Sequence, residues 1–237
     1  MSDDPSVSEL WPEKGFIDLC SKPASTEEAL AMLPLYRDLG YTLVAMERAP
    51  FLETHKIESS ARNLGIGLAW RVTIRASRPR EVQNRVREVA RRGRPHVIAV
   101  TPQSVDAGRY AARSKNVDII AIEPGMERLV DHSTSTLFSQ RGWGAIEIHI
   151  APLLGSAGGP ERRLEAMLRH FFLVARKAIG YRIPLVASSC AETRWELVHP
   201  YHVVGIAVVP GVPPEESLSW MTSVPRSILA RHYPGKK

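Results

Sequence analysis

The sequence predicts an α/β chain folded as a TIM-barrel-like (β/α) barrel in a single compact domain. Short β-like runs alternate with helical runs almost throughout, the pattern of a parallel sheet with helical crossovers. Eight such units fit within 237 residues, somewhat compact for a barrel of this type. No glycine-rich nucleotide fingerprint follows the first β-like run, so the alternative, a doubly wound open sheet, lacks the signal of its usual ligand site. No Ser/Pro-rich linker divides the chain. The domain is expected over 14–232, with flexible ends at 1–13 and 233–237.

The β-like runs are, in order, "GFIDLC" (15–20), "TLVAME" (42–47), "GLAWRVTI" (67–74), "HVIAVTP" (96–102), "VDIIAIEP" (117–124), "AIEIHI" (145–150), "PLVASS" (184–189) and "GIAVVPG" (205–211). Helical patterns lie between them, among them "STEEALAMLPLYRDLG", "SVDAGRYAARSK" and "PERRLEAMLRHFFLVARKAIG".

The stretch "SRPREVQNRVREVARRGRPH" (77–96) holds seven arginines and two glutamates. Val82, Val86, Val89 and Ala90 recur at helical spacing and form one apolar stripe. Pro79 suits the first turn, Gly93 the position past the end, and Pro95 blocks continuation. Glu81–Arg85 and Glu88–Arg92 are i,i+4 pairs with the acid N-terminal, so these charges largely cancel. Arg80, Arg87 and Arg91 lie together on another flank with no acid beside them. A solvated face is one reading; an uncompensated stripe points to a polyanion.

The whole chain has a net charge of +6. Between Arg71 and Lys115 twelve Lys/Arg face three acids, a local charge of +9, while the remainder carries 19 against 22, or −3. Basicity therefore belongs to a region, which predicts an acidic partner more specifically than a high isoelectric point does. The helix expected from Pro160 repeats the pattern: Arg162, Arg169 and Arg176 follow heptad spacing on one polar flank, opposed only by Glu161 and Glu165. "GSAGG" before it offers backbone N–H groups to a phosphate, or is simply a flexible loop.

Two cysteines, Cys20 and Cys190, give no disulfide framework and no zinc spacing. The polar start carries no signal-peptide pattern, and no apolar run approaches the roughly 20 residues of a membrane helix, so a cytoplasmic protein is expected. Asp18, Glu47, Thr101, Glu123, His149, Ser188 and Ser189 fall at the C-terminal ends of β-like runs, where barrels place catalytic groups. An imidazole cluster for a binuclear metal is missing there, none of the lysines sits in a β-like run, and Ser188 and Ser189 lack a nucleophile elbow. No catalytic and no metal-ligating residue is assigned. Glu147 and His149 share one strand face, as do Arg71, Thr73 and Arg75. They would line a catalytic pocket or form a hydrogen-bonded polar plug.

The segment "IPLVASSCAETRWELVHPYHVVGIAVVPGVPPEESLSWMTSVPRSIL", the stretch "IEPGMERLVDHSTSTLFSQRGWGAIEIHIAPLL" and the opening "GFIDLC" fall in an order that resembles the archaeal ribonuclease P protein component 3 family. The resemblance runs from about Phe16 to Leu229; residues 48–66 have no confident match. It implies a barrel fold and a non-catalytic role: binding and supporting the catalytic RNA that removes the 5′ leader of precursor tRNA. The implied partners are the ribonuclease P RNA, protein component 2, the other protein subunits and, indirectly, precursor tRNA. No cofactor is implied for the protein; Mg²⁺ is expected to act with the RNA. Matching positions imply RNA contacts at Arg78, Arg109, His132, Arg169 and Arg194, and the charge reading adds Arg80, Arg87, Arg91, Arg162 and Arg176. Ser188, Ser189 and Trp195 match family motif positions, with packing an equal reading for Trp195. The alternatives are a metal-dependent barrel phosphoesterase or hydrolase, with metal near Asp18, Glu47 and His149, and a scaffold for an acidic protein.

Overall fold

A computed structural model describes residues 15–91, 93 and 96–231. The ends expected to be flexible, and Arg92 of the expected Glu88 pair, lie outside the described residues. Among the described residues seven strands form one parallel sheet in chain order: β1 (Phe16–Ser21), β2 (Tyr41–Glu47), β3 (Gly67–Ala76), β4 (Val97–Pro102), β5 (Ile119–Ala121), β6 (Ala145–His149) and β7 (Leu185–Ser188). Helices cross between them: α1 (Thr26–Asp38), α2 (Thr54–Leu64), α3 (Pro79–Arg91), α4 (Val105–Arg113), α5 (His132–Arg141), the short α6 (Ala151–Gly155) and α7 (Glu161–Gly180). After β7 come α8 (Pro200–Val208), α9 (Pro214–Ser219) and α10 (Ser223–Ala230). This is a nearly closed TIM-barrel-like domain.

Pleating sorts the side chains into two cores. Leu43, Ala45, Ala69, Val97, Ala99, Ile119, Ala145 and Val186 fill the barrel interior, and Ile228 and Leu229 of α10 join them. The other strand face packs beneath the helices; Val82 and Val86 of α3 are both buried there, as the valine stripe requires.

The expected eighth strand does not form. Residues 205–211 fall largely in α8, which starts at Pro200 after the His199 cap and buries Val203 and Ala207 at i,i+4 spacing. A short apolar run has no periodicity that separates strand from buried helix, and a proline at the first helical position decides for the helix here. The gap between β1 and β7 is bridged at its upper end by backbone bonds: Cys190 N–H to Cys20 O at 2.6 Å and Lys22 N–H to Ala191 O at 2.7 Å. Lower down, the turn after α9 takes the missing strand's place, with Ile17 N–H donating to Met221 O at 2.8 Å and Ala187 N–H to Trp220 O at 3.2 Å.

Candidate functional site

The interior face of β3 carries Arg71 to the barrel mouth, and the interior face of β6 carries Glu147 and His149. Both Arg71 and Glu147 are wholly buried. The guanidinium grips the carboxylate with two bonds of 2.7 and 2.6 Å and donates further to Leu19 O at 2.7 Å and Thr73 Oγ1 at 2.9 Å. Ser188 donates to Glu147 at 2.7 Å, and His149 Nε2 lies 3.0 Å from its other oxygen. Glu47 accepts from Thr73 N–H and Oγ1–H at 2.6 and 2.7 Å. Of the two sequence readings, pocket or plug, the geometry gives the plug. Burial opposes the charge on Glu147, but Arg71 and the His149 contact outweigh it and hold the carboxyl far below the usual range.

Asp18 belongs to a different cluster. It faces α1 and β7, accepting from Tyr36 O–H at 2.9 Å, Cys20 N–H at 3.0 Å, Ser189 N–H at 3.1 Å and the Ser189 hydroxyl. The expected Asp18, Glu47 and His149 metal set therefore does not converge. Burial dominates Asp18 and lifts its pKa to about 6, against the lowering effect of these hydrogen bonds. The sign follows: the folded chain holds this proton more tightly than the unfolded one, so stability falls as pH rises from the ordinary aspartate value of 3.8 to about 6. The loss through this group is of order 1–3 kcal/mol. In Asp18→Asn, urea unfolding measured from pH 4 to 6 should lack that decline relative to wild type; an unchanged decline would assign it elsewhere.

The structure also joins three residues that sequence spacing keeps apart. Cys20, His149 and Cys190 bring their ligating atoms within 4.8 Å of one another. Burial pushes the Cys20 thiol up, while its hydrogen bond to Cys190, together with His149, acidifies Cys190. Burial works against a charged His149, but Cys190 and Glu147 lift it to about 9.

The arginines fall into two surfaces. Arg78 precedes α3, and Arg80, Arg87 and Arg91 lie exposed along it. Among the described residues none of these guanidinium groups meets an acid within ion-pair distance. The expected Glu81–Arg85 pair is replaced by a cap: Glu81 turns back to accept from the N–H groups of Ser77 and Arg78 at 2.8 and 3.3 Å. That satisfies donors the first helical turn leaves open. Arg162, Arg169 and Arg176 lie exposed on α7, Arg169 bonded to Glu165 at 2.9 Å. Because α3 follows β3 and α7 follows β6, α4 and α5 stand between the two surfaces.

Helices of this barrel begin at the mouth, so Arg78, His132, Arg162 and Arg194 share its rim. His132 opens α5 behind its Asp131 cap. Arg109 donates to that same Asp131 at 3.1 Å, and Arg194 grips Glu28 of α1 with side-chain bonds of 3.1 and 2.9 Å. These two arrive at the rim already paired. Ser188 and Ser189 are buried supports of Glu147 and Asp18, whereas Trp195 is 89% exposed, so packing among the described residues does not account for it. The "GSAGG" loop turns on itself, with Ala157 N–H donating to Leu154 O at 2.9 Å and Gly159 N–H to Ser156 O at 3.1 Å, so those donors are not open to a phosphate.

Fold and site together define a (β/α)-barrel protein whose mouth is filled by its own ion-paired side chains and whose flank presents open arginines. Residues 15–234 match the family model for RNase P subunit p30. Ribonuclease P protein component 3 of Aeropyrum pernix is 32% identical over 200 residues, spanning 84% of this chain and 89% of that one. The chain belongs to the RNase P subunit p30 family. A chain in the cryo-EM structure of archaeal ribonuclease P with mature tRNA shares the fold with a TM-score of 0.74 at 18% identity, covering 92% of this chain and 91% of that one. A Xaa-Pro dipeptidase shares it at a TM-score of 0.60 and 13% identity, over 91% and 75% of the two chains, a likeness of fold alone.

Proposed function

We propose that this chain is a non-catalytic protein subunit of ribonuclease P that binds and supports the catalytic RNA during removal of the 5′ leader from precursor tRNA. One observation carries the reading: a member of this family exposes Arg80, Arg87 and Arg91 on one helix without acidic partners among the described residues, while the polar groups of its barrel mouth hold one another. Guanidinium groups displayed this way suit a phosphate backbone, engaged by charge and shape without reading base sequence. Arg78 and His132 extend the surface along the rim. Arg162, Arg169 and Arg176 form a second contact, and Arg109 and Arg194 hold the rim in shape through Asp131 and Glu28. The assembly would include the RNA, protein component 2, the other protein subunits and, indirectly, precursor tRNA, in the cytoplasm, with Mg²⁺ serving the RNA. Among the described residues no helix is long and apolar enough to cross a membrane.

Reconstitution tests the reading. The chain, mixed with component 2 and the ribonuclease P RNA, should raise precursor tRNA cleavage at low Mg²⁺ above that of the RNA with component 2 alone. Equal cleavage with and without the chain rejects it.

A further inference from the structure

Among the described residues the seam between β1 and β7 carries a single parallel bridge, Ser21 to Ala191, in place of the ladders that join the other neighbouring strands. At its upper end lie the chain's two cysteines and one histidine. Cys20 ends up there because the β1–β2 register shifts between Asp18 and Ser21, and such an irregularity re-aims a side chain that strict alternation would place elsewhere. Cys190 follows β7, its N–H bonded to Cys20 O at 2.6 Å, and it adopts a left-handed φ of 54°. His149 comes from the end of β6. Two thiols and an imidazole converging within 4.8 Å match the donor set, and the spread of donor atoms, of a tetrahedral cation site with one position left for water.

We propose that Cys20, Cys190 and His149 form a Zn²⁺-class binding site that clasps β1 to β7 across the open seam of the barrel. The environment of His149 supports this independently of the cysteines. Its Nε2 is engaged by Glu147 at 3.0 Å, which leaves Nδ1 as the nitrogen for a cation. A ligating histidine whose second nitrogen is held by a carboxylate is the usual outer support of a bound metal, and here that carboxylate is itself fixed by Arg71 and Ser188. On binding, every proton still held by the two sulfurs and by His149 Nδ1 passes to solvent, the sulfurs and Nδ1 bond the cation, and the Nε2 proton stays toward Glu147. The two thiolates balance the charge of a divalent ion, and no redox change is involved. The site joins three strands, β1, β6 and β7, and so ties the seam to the polar plug. It is independent of the RNA-facing arginines: failure of metal uptake leaves the reconstitution result untouched, and the reverse holds.

Cobalt(II) titrated anaerobically into the reduced full-length chain is the probe. The expected result is one equivalent bound per chain, with cobalt–thiolate charge-transfer absorption and tetrahedral ligand-field bands that zinc(II) then abolishes. Zinc(II) should also raise the thermal midpoint of the wild-type chain. Cys20→Ser/Cys190→Ser should lose the charge-transfer absorption, and His149→Ala should keep part of it while binding about tenfold or more weakly. Circular dichroism confirms that each variant is folded. Three results overturn the proposal: no uptake by the reduced, folded wild-type chain; uptake unchanged in the double cysteine variant; or cobalt affinity unchanged in His149→Ala. The first needs no variant, so a misfolded mutant cannot protect the idea.

Discussion

Replacing Arg71 with methionine is expected to lower the unfolding free energy by about 3–5 kcal/mol, the range for removing one partner of a buried ion pair. The magnitude comes from what stays behind. Glu147 is wholly buried, and without the guanidinium its carboxylate keeps only Ser188 and His149 as partners. Leu19 O loses a donor in the same place. For a domain of this length the thermal midpoint should fall by roughly 6–20 °C. Arg71→Met/Glu147→Leu should recover most of the loss, because a buried pair replaced as a pair leaves no unpaired charge. Urea unfolding of the wild type, both single variants and the double variant closes the cycle. If Arg71→Met is as stable as wild type, the mouth is wet or rearranged and the plug is not what fills it. A catalytic pocket would behave differently, since its charged groups face solvent and substrate and their removal affects activity more than folding.

Much of this site was legible in the sequence because pleating is a strict rule. Glu147 and His149 two residues apart, and Arg71, Thr73 and Arg75 at the same spacing, had to share strand faces, and the parallel sheet then set those faces toward a common interior. The valine stripe of α3 fixed which of its arginines face out. Three features were not legible, each for a physical reason. The run at 205–211 is too short for its period to choose between strand and helix, and the signal that decides, Pro200 at the first helical position behind the His199 cap, lies outside the run. Glu81 had two partners within reach, Arg85 and the free N–H groups of its own helix start, and propensity does not rank them. Cys20, Cys190 and His149 meet only because β7 returns beside β1 and because the register of β1 slips at Asp18. Neither event leaves a spacing motif. Asp18 sits with Tyr36 and Ser189 instead of at the mouth with Glu47 because it alternates with the interior Ile17 and Leu19, and pleating turns it outward toward α1.

The second large effect concerns RNA. Replacing Arg80, Arg87 and Arg91 together with glutamine should weaken binding to the ribonuclease P RNA and make it less sensitive to salt, with the fold intact. These side chains are exposed and, among the described residues, unpaired, so their removal breaks no internal contact. Each phosphate they neutralise contributes about 0.7–0.9 to the slope of log K against log salt, so the slope should become shallower by roughly 2–3 units. Filter binding or fluorescence titration across a salt series measures it, with circular dichroism as the control for folding. The α7 set, Arg162, Arg169 and Arg176, provides the comparison. It lies beyond α4 and α5, so the two triple variants should act additively if both surfaces meet RNA. If only one slope changes, that helix alone faces the RNA. An α3 variant that binds with wild-type affinity and slope would make its arginine face a solubility feature, and the interface would have to be sought along the rim at Arg78, His132 and Arg162.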